Sequence, residues 1–250
     1  MGPITPFPST TPHRFLDFAV AMQNRSLERL STGLRINRAA DDPAGLVSSE
    51  HLRAQLEQLD AESRALSRAE HISATADASM GVAADLLVEA EGLAVAAANT
   101  AGMSDAEREA YQMQMDSVVQ SVARIAATTT FNGTPLMDGS FSVSVGDASV
   151  SVPSADPSDL GRIDDGAGGT HTLADTGSGG AINLVNGSIG AAQDAIRAAR
   201  SQLTSAQGQL GAFVKHTIGP AWTANRIAFE NTTAAHSMIR DADFAAEAAN

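Results

Sequence analysis

One stretch near the C-terminal end of the sequence restricts the possible folds more than any other. Apolar or small residues recur there at alternating spacings of four and three, without a slip. Because this alternation keeps one face of an α-helix apolar along its whole length, the stretch predicts a long helix that packs as in a coiled coil. The stripe consists of Val185, Ile189, Ala192, Ile196, Ala199, Leu203, Ala206, Leu210 and Phe213.

A glycine–proline pair follows this stripe. Proline lacks a backbone N–H and disturbs an α-helix, so we expect Gly219 and Pro220 to kink or interrupt the helix. Helical spacing then resumes and runs toward the end of the chain. The residues with this spacing are Ala224, Ile227, Asn231, Ala234 and Met238.

The first half of the chain predicts three more helices. One begins near Phe15, and a second begins at Pro43, which suits a first helical position behind an aspartate cap. A long periodic run of leucines and small residues extends this second helix. The third helix opens with Ser104 and Glu107, which have the spacing of a capping box. Its predicted apolar face consists of Tyr111, Met115, Val118, Val122 and Ile125.

The period changes from helical to alternating between Phe141 and Val152. Apolar residues alternate with serines on both sides of Gly146 and Asp147, which predicts a β-hairpin with a two-residue turn and one apolar face. An isolated hairpin is only marginally stable, so we expect this face to dock on the helices. The glycine- and aspartate-rich residues 153–180 predict an exposed connector.

These patterns divide the chain into four segments. Residues 1–13, rich in proline, predict a flexible N-terminus, and residues 14–137 predict an N-terminal helical half. Residues 138–180 predict the β-hairpin and an exposed loop, and residues 181–250 predict a C-terminal helical half. The predicted fold class is mainly α: an elongated antiparallel helical bundle or coiled-coil rod with a small β-hairpin region, whose two chain ends lie near each other.

The composition excludes several kinds of partner. The net charge is −13, and a polyanion gains nothing from phosphate contacts, so we expect no nucleic acid partner. No apolar run approaches the roughly 18 residues that a membrane span needs, and we expect no membrane partner. The N-terminus also lacks the basic and apolar regions of a standard signal peptide. Without cysteine, neither a disulfide nor a thiolate metal site can form.

No residue pattern predicts catalysis, a cofactor or a metal site. The histidines form no His-Glu-x-x-His motif. Asp41 and Asp42 could act as paired carboxylates in acid–base chemistry. The interpretation we favour is helix capping before Pro43, with pairing to Arg35 or Arg38. We therefore expect that the protein is not an enzyme.

Three segments carry a family resemblance. Residues 28–37 (ERLSTGLRIN), with residues 40–46 (ADDPAGL), are similar to the N-terminal signature of bacterial flagellins. Residues 131–139 (FNGTPLMDG) resemble the turn before the family's β-hairpin. Residues 239–247 (IRDADFAAE) resemble its C-terminal signature. Because the three occur in the right order, the chain is identified as a member of the flagellin family, of a short type without large outer domains.

The resemblance implies a function and a location. Flagellins are secreted, extracellular structural proteins that leave the cell by type III export and self-assemble into the flagellar filament for swimming motility. It therefore implies a homo-oligomer, with an export chaperone and a filament cap as further partners. The alternatives are a soluble secreted adhesin or host-receptor-binding module, and the related hook-filament junction protein. The turn at Phe131 and the ending at residues 240–244 favour flagellin over the junction protein.

The sequence departs from the family pattern in two functional regions. Flagellins continue beyond the position of Asn250 with a terminal helix that lines the filament channel, so its absence implies a truncated subunit or one without an ordinary inner tube. In many flagellins the helix around residues 86–95 presents arginines to an innate immune receptor. The matching positions here are Glu89 and Glu91, with Gly92 beside them. Because charge reversal weakens binding, we expect weak or no recognition by that receptor.

Candidate contacts between subunits come from the two terminal signatures. The charged side chains of these signatures could form salt bridges between subunits or serve as local caps within one chain, and the sequence leaves both open. The candidate residues are Arg35, Asn37, Asp41, Asp42, Arg240, Asp241 and Asp243.

Overall fold

The structure is a computed structural model that describes residues 10–99, 103–164 and 169–248. Long helices dominate it, which confirms the mainly α fold class. The helices are α1 (Thr10–Thr32), α2 (Pro43–Ala98), α3 (Asp105–Thr128), α4 (Ile189–Phe213), α5 (Gly219–Arg240) and α6 (Phe244–Ala248). A 3-10 turn spans Leu173–Thr176, and a π-helical segment, Val214–Ile218, lies between α4 and α5.

The described strands form three small antiparallel pairs. They are β1 (Thr130–Phe131) with β2 (Thr134–Pro135), β3 (Ser142–Val145) with β4 (Ala148–Ser151), and β5 (Ile163–Asp164) with β6 (Thr170–His171). Within the described ranges, no helix combines the length and apolar character needed to cross a membrane.

The chain divides into two compact units. Unit 1 combines Met1–Ser63 with Thr223–Asn250, and unit 2 is Arg64–Trp222. Both units therefore contain part of α2. In unit 1, the described ends of the chain come together, since α6 packs against α1.

The helix starts follow the predicted capping chemistry. Asp42 accepts a hydrogen bond from the backbone N–H of Gly45 at 2.8 Å and so caps the first turn of α2. Ser104 and Glu107 form the predicted capping box at the start of α3. Helix α1 begins at Thr10, inside the predicted flexible segment, because proline is tolerated in a first turn and Pro12 lies there. The prediction for Pro3, Pro6 and Pro8 falls outside the described residues.

The core of unit 2 is built by the predicted helix faces. The α4 stripe is buried from Ala192 to Phe213, which confirms the coiled-coil pattern. Helices α2 and α4 run antiparallel, since Gln193 donates to the carbonyl of Ala94 and Gln207 donates to the carbonyl of Asp77. From α3, Met115, Val118, Val122 and Ala126 complete this alanine-rich core.

The β-hairpin forms in the predicted register. Val145 pairs with Ala148 across the two-residue turn, where Gly146 has a φ of 58°. Val143 is buried in a small cluster with Leu66 and Phe213 of the neighbouring helices. The prediction that the apolar face docks on helices is confirmed.

The prediction that residues 153–180 form an exposed loop is wrong for most of the described part. Ala155, Leu160 and Leu173 are fully buried in the core of unit 2. These apolar residues are few and widely spaced among Gly, Asp and Ser, so no periodic signal marks them. Long-range packing on α3 and α4 buries them instead. Residues 165–168 lie outside the described part of the chain.

The predicted interruption is a π-helical segment that ends directly before Gly219, and helical structure then resumes as predicted in α5. The π-helical segment adds one residue to the helical run, since the N–H of Gly219 bonds to the carbonyl of Val214, five residues earlier. All five predicted positions are exposed: Ala224, Ile227, Asn231, Ala234 and Met238.

Candidate functional site

The two terminal signatures meet in unit 1 at a site that we call the terminal junction, residues 28–50 and 237–247. Backbone pairing holds it together. Leu34 and Asp241 form an antiparallel bridge. The N–H of Arg35 bonds to the carbonyl of Arg240 at 2.7 Å, and the N–H of Ala242 bonds to the carbonyl of Gly33 at 2.9 Å. A left-handed glycine, Gly33, ends α1 and turns the chain into this pairing with a φ of 73°.

Arginine side chains reinforce the backbone pairing. The guanidinium of Arg35 donates to the carbonyl of Ile239 at 2.6 Å and lies 3.8 Å from the carboxylate of Asp42. Arg240 forms an ion pair with Glu50 of α2 at 2.6 Å. Arg29 of α1 binds Glu247 of α6 at 3.1 Å, and the Glu247 side chain is only 11% exposed. These contacts tie the two described ends of the chain to the start of α2.

The adjacent aspartates act as local caps. Asp41 accepts hydrogen bonds from the backbone N–H groups of Asn37 at 3.2 Å and Arg38 at 2.9 Å. Asn37 also donates from its side chain to the carbonyl of Leu34 at 3.0 Å. Of the two arginines offered as partners, Arg35 pairs with Asp42, while the side chain of Arg38 pairs with Glu28 at 3.0 Å.

The aspartates of the C-terminal signature also have internal partners. Asp241 accepts a hydrogen bond from the hydroxyl of Ser237. Asp243 caps α6, since its side chain accepts from the N–H of Ala245 at 2.9 Å and Ala246 at 3.2 Å. Each carboxylate among the candidate residues therefore holds backbone or a neighbouring side chain, which is a structural arrangement and not an acid–base pair.

Sequence reasoning missed four residues of the junction. Ile36 is its buried anchor, with 1% of its surface exposed. A Cβ on Gly45 would lie 2.8 Å from the side chain of Ile36 and 2.3 Å from that of Asp42, so any larger residue there would push these two side chains aside. Glu50 and Glu247 bind the arginines described above, and only the tertiary fold reveals these pairings, which join residues far apart in sequence. For these residues, the sequence offered one signal: Ile36 is apolar although its neighbours in the chain are polar.

Hydrogen bonding favours the ionised form of two junction carboxylates. The backbone N–H of Arg38, then that of Asn37, lowers the pKa of Asp41 from its ordinary value of 3.8. The side-chain hydrogen bond from Arg240 lowers the pKa of Glu50 from 4.5. Because both groups are ionised more readily in the folded chain, both favour folding above their ordinary pKa values.

We expect the contribution of Glu50 to stability to disappear in acid. A lowered folded pKa means that stabilisation is present above pH 4.5 and is lost as the pH falls through the folded value. The variant Glu50→Gln should therefore unfold at a lower temperature than the unmodified chain at pH 7, and the difference should shrink as the pH falls below 4.5. Thermal unfolding followed by circular dichroism measures this. The matched control is Glu57→Gln, an exposed glutamate of the same helix; an equal, pH-independent difference for both variants would contradict the assignment.

The predicted receptor-surface positions lie in unit 2 on α2. Glu91 is not free, because it pairs with Arg197 at 3.2 Å and Arg200 at 2.9 Å of α4. Glu89 and Gly92 are exposed, and a Cβ on Gly92 would meet nothing within 4 Å. Two of the three positions therefore face solvent, and the third serves helix packing.

Comparisons with known proteins agree with the terminal signatures. The family model described as the bacterial flagellin N-terminal helical region matches residues 11–142. A flagellin from Halalkalibacterium halodurans is 30% identical over 245 residues, which are 96% of this chain and 85% of that protein. Flagellin FlaB2 from Treponema pallidum is 30% identical, over 89% of this chain and 80% of the relative.

Other relatives are much longer than this chain. Flagellin A from Vibrio cholerae is 38% identical over 145 residues, which are 58% of this chain but only 37% of that protein. A solved structure of FliC from Burkholderia pseudomallei covers 58% of this chain with 18% identity and a TM-score of 0.44, a similarity too low to support an argument about the fold.

Proposed function

The chain belongs to the bacterial flagellin family, and we propose that it acts as the self-assembling structural subunit of a flagellar filament that supports swimming motility. The observation that carries this proposal is the terminal junction. Backbone pairing and ion pairs between the two signatures fix the described ends of the chain as one scaffold. A polymer needs such a scaffold, because each subunit must present the same surface to its neighbours.

Helix α1 offers the surface that a neighbour would cover. Phe15, Phe18 and Met22 are 74%, 65% and 54% exposed, respectively, at spacings of three and four. Large exposed apolar side chains on one helix face mark an interaction site. In a filament, neighbouring copies of the chain would cover this face of α1.

Charged contacts at the junction would add to this apolar contact. The Arg35 side chain is 44% exposed and that of Asp42 is 35% exposed, although both have partners within the chain. In a lattice, each such group can also meet a group on a neighbouring subunit. Single exposed ion pairs contribute about 0–1 kcal/mol each. We therefore assign to these pairs the alignment of neighbouring subunits, and we assign most of the free energy of assembly to the apolar contact.

The remaining partners follow from the family. We assign the chain to the extracellular filament after type III export, with an export chaperone and the filament cap as partners. Recognition by the innate immune receptor should be weak, because Glu89 carries the wrong charge and Glu91 is occupied by Arg197 and Arg200.

We expect filaments when the purified chain is mixed with ammonium sulfate and filament seeds. The net charge of −13 keeps subunits apart at low ionic strength, and salt screens this repulsion while strengthening apolar contacts. Negative-stain electron microscopy counts the filaments. If the unmodified chain stays monomeric at every salt concentration, the soluble adhesin becomes the better description.

A pair of variants tests the contribution of α1 to assembly. Phe18→Ser should abolish filaments while changing monomer stability by no more than about 0.5 kcal/mol, because the side chain is exposed in the monomer. Gln23→Ser, also exposed on α1, is the matched control and should assemble normally. Equal assembly by both variants would remove α1 from the interface.

A further inference from the structure

Two Asn-Gly pairs occur in the described part of unit 2, and the fold holds them differently. They are Asn132–Gly133, in the turn between β1 and β2, and Asn186–Gly187, just before α4. Asparagine is thermolabile, and a following glycine has no side chain to shield its backbone nitrogen from the asparagine side chain. The two pairs share this chemistry, so any difference in their reactivity comes from their surroundings.

The first pair forms a type I′ turn. Asn132 has a φ of 51° and Gly133 a φ of 82°, the two positive values that this turn requires. Both residues are exposed, and a Cβ on Gly133 would meet nothing within 4 Å. Among the described residues, neither the side-chain amide of Asn132 nor the N–H of Gly133 has a hydrogen-bond partner. Neither reacting group is therefore held in place.

A rotation of the peptide group between these two residues prepares a reaction. It converts the type I′ turn into a type II′ turn, whose first central residue has a ψ of about −120°. At that ψ the nitrogen of the next residue lies in line with Cβ and faces the carbonyl carbon of the side chain. The rotation keeps the pairing of Phe131 with Thr134, because both turn types join the same two strand residues.

The second pair is fixed by its loop. The N–H of Gly187 donates to the carbonyl of Asn183 at 3.0 Å, and the N–H of Asn186 donates to the side chain of Asn183 at 2.7 Å. A Cβ on Gly187 would lie 2.5 Å from the backbone nitrogen of Asn183, so the chain is closely packed at this point. Rotation of the peptide group between residues 186 and 187 would break the first of these hydrogen bonds. The nitrogen of Gly187 is therefore engaged by the fold.

We propose that Asn132 is a site of spontaneous deamidation in the folded chain, and that the fold protects Asn186. Hydroxide removes the proton from the Gly133 nitrogen, which then attacks Cγ of Asn132. A new C–N bond forms, the bond from Cγ to the amide nitrogen breaks, and ammonia leaves with a proton from water, which regenerates hydroxide. Water opens the resulting cyclic imide at either carbonyl and yields aspartate or isoaspartate. No oxidant or reductant takes part.

The product changes a defined surface of unit 2. Asn132 lines a cavity of about 700 Å³ together with Arg68, which has no ion-pair partner among the described residues. Deamidation places a negative charge in this cavity beside an exposed cation. Isoaspartate also lengthens the backbone of the turn by one carbon. This change lies next to the hydrogen bond from the N–H of Leu136 to the carbonyl of Thr129 at 3.0 Å, which closes the β1–β2 pair.

Peptide mass spectrometry of the unmodified chain tests the proposal. Trypsin cleaves after Arg124, Arg162 and Arg197 and so places the two asparagines on different peptides. The folded chain is incubated at mildly alkaline pH, and a second sample is incubated in urea at the same pH. Replacement of the amide NH2 by OH raises the peptide mass, and fragmentation locates the change. Chain digested without incubation gives the background.

We expect Asn132 to deamidate at least about tenfold faster than Asn186 in the folded chain, the factor that results when one hydrogen bond must first be broken. In urea the two rates should be similar, because both turns are lost. The rate at Asn132 should also rise with pH, since the attacking nitrogen must lose its proton. Equal rates in the folded chain would overturn the proposal, and so would a tenfold difference that persists in urea.

The variant Asn183→Ala tests the protection of the second pair. It removes the side chain that holds the N–H groups of Val185 and Asn186, while the turn at Asn132 keeps its surroundings. We expect Asn186 to react faster in this variant and Asn132 to keep its rate, with circular dichroism as the check of folding. If the variant does not fold, the comparison of folded and urea-treated chain decides alone. A folded variant in which both asparagines keep their original rates would contradict protection by this loop.

Discussion

Replacing Gly161 by alanine is expected to destabilise unit 2 by roughly 3–5 kcal/mol, the range reached when backbone strain and a steric clash coincide. Gly161 has a φ of 69°, which disfavours any side chain. An added Cβ would lie 2.3 Å from the carbonyl oxygen of Ala195, which belongs to the backbone of α4 and cannot move aside. A backbone shift at residue 161 that relieved this clash would also strain the 2.9 Å hydrogen bond from the Gly161 N–H to the side chain of Gln202. Urea unfolding followed by circular dichroism measures the loss.

The matched control is Gly208→Ala, in the interior of α4. A Cβ there would meet nothing within 4 Å, so the substitution should stabilise the chain by about 0.5–1 kcal/mol through helix propensity. The same substitution is therefore expected to lower the free energy of unfolding at Gly161 and to raise it at Gly208. If Gly161→Ala also proves neutral or stabilising, the close approach of residues 160–162 to α4 is wrong.

Removing the hydrogen bonds of Gln112 is expected to cost about 2–5 kcal/mol, because two buried backbone groups lose their partners. Gln112 is 4% exposed on α3. Its side chain donates to the carbonyl of Thr176 at 3.0 Å and accepts from the N–H of Leu184 at 2.7 Å, and it also donates to Asp116 at 2.8 Å. The variant Gln112→Leu keeps the volume of the side chain and removes all three bonds.

Hydrogen exchange separates this effect from general destabilisation. We expect the amide of Leu184 to exchange faster in Gln112→Leu, together with its neighbours in residues 173–186, before α3 itself opens. Met113→Leu is the control, since Met113 is 64% exposed on the same helix and should change stability by less than about 0.5 kcal/mol. A loss below about 1 kcal/mol for Gln112→Leu would mean that water or another group replaces its bonds.

Gln112 also shows why residues 153–180 were misjudged. Their few apolar side chains, such as Leu160 and Leu173, carry no periodicity, and glycine and aspartate dominate the composition. The segment is held by a glutamine located 64 residues before Thr176. Local pattern reasoning cannot anticipate a polar partner at that distance, because nothing in either segment specifies the other.

The candidate site was predictable in its residues but not in its geometry. The terminal signatures contain Arg35, Asp42 and Arg240, and the family resemblance marks them. The choice of partners depended on how the two signatures meet. Arg240 binds Glu50 rather than an aspartate of the N-terminal signature, and Arg38 binds Glu28. Ion pairing depends on distances of a few ångströms, which the fold sets.

The sequence by itself determined the features that arise from short-range chemistry. The four-three spacing made α4 a buried helix, Ser104 and Glu107 began α3, and Gly146 set the turn of the β-hairpin. The tertiary structure decided which face of α5 is packed. Ile227 and Met238 continue the four-three spacing but are exposed, while Asn225 on the adjacent face is buried, because helical periodicity specifies the faces of a helix and only its packing partners decide which of them turns inward.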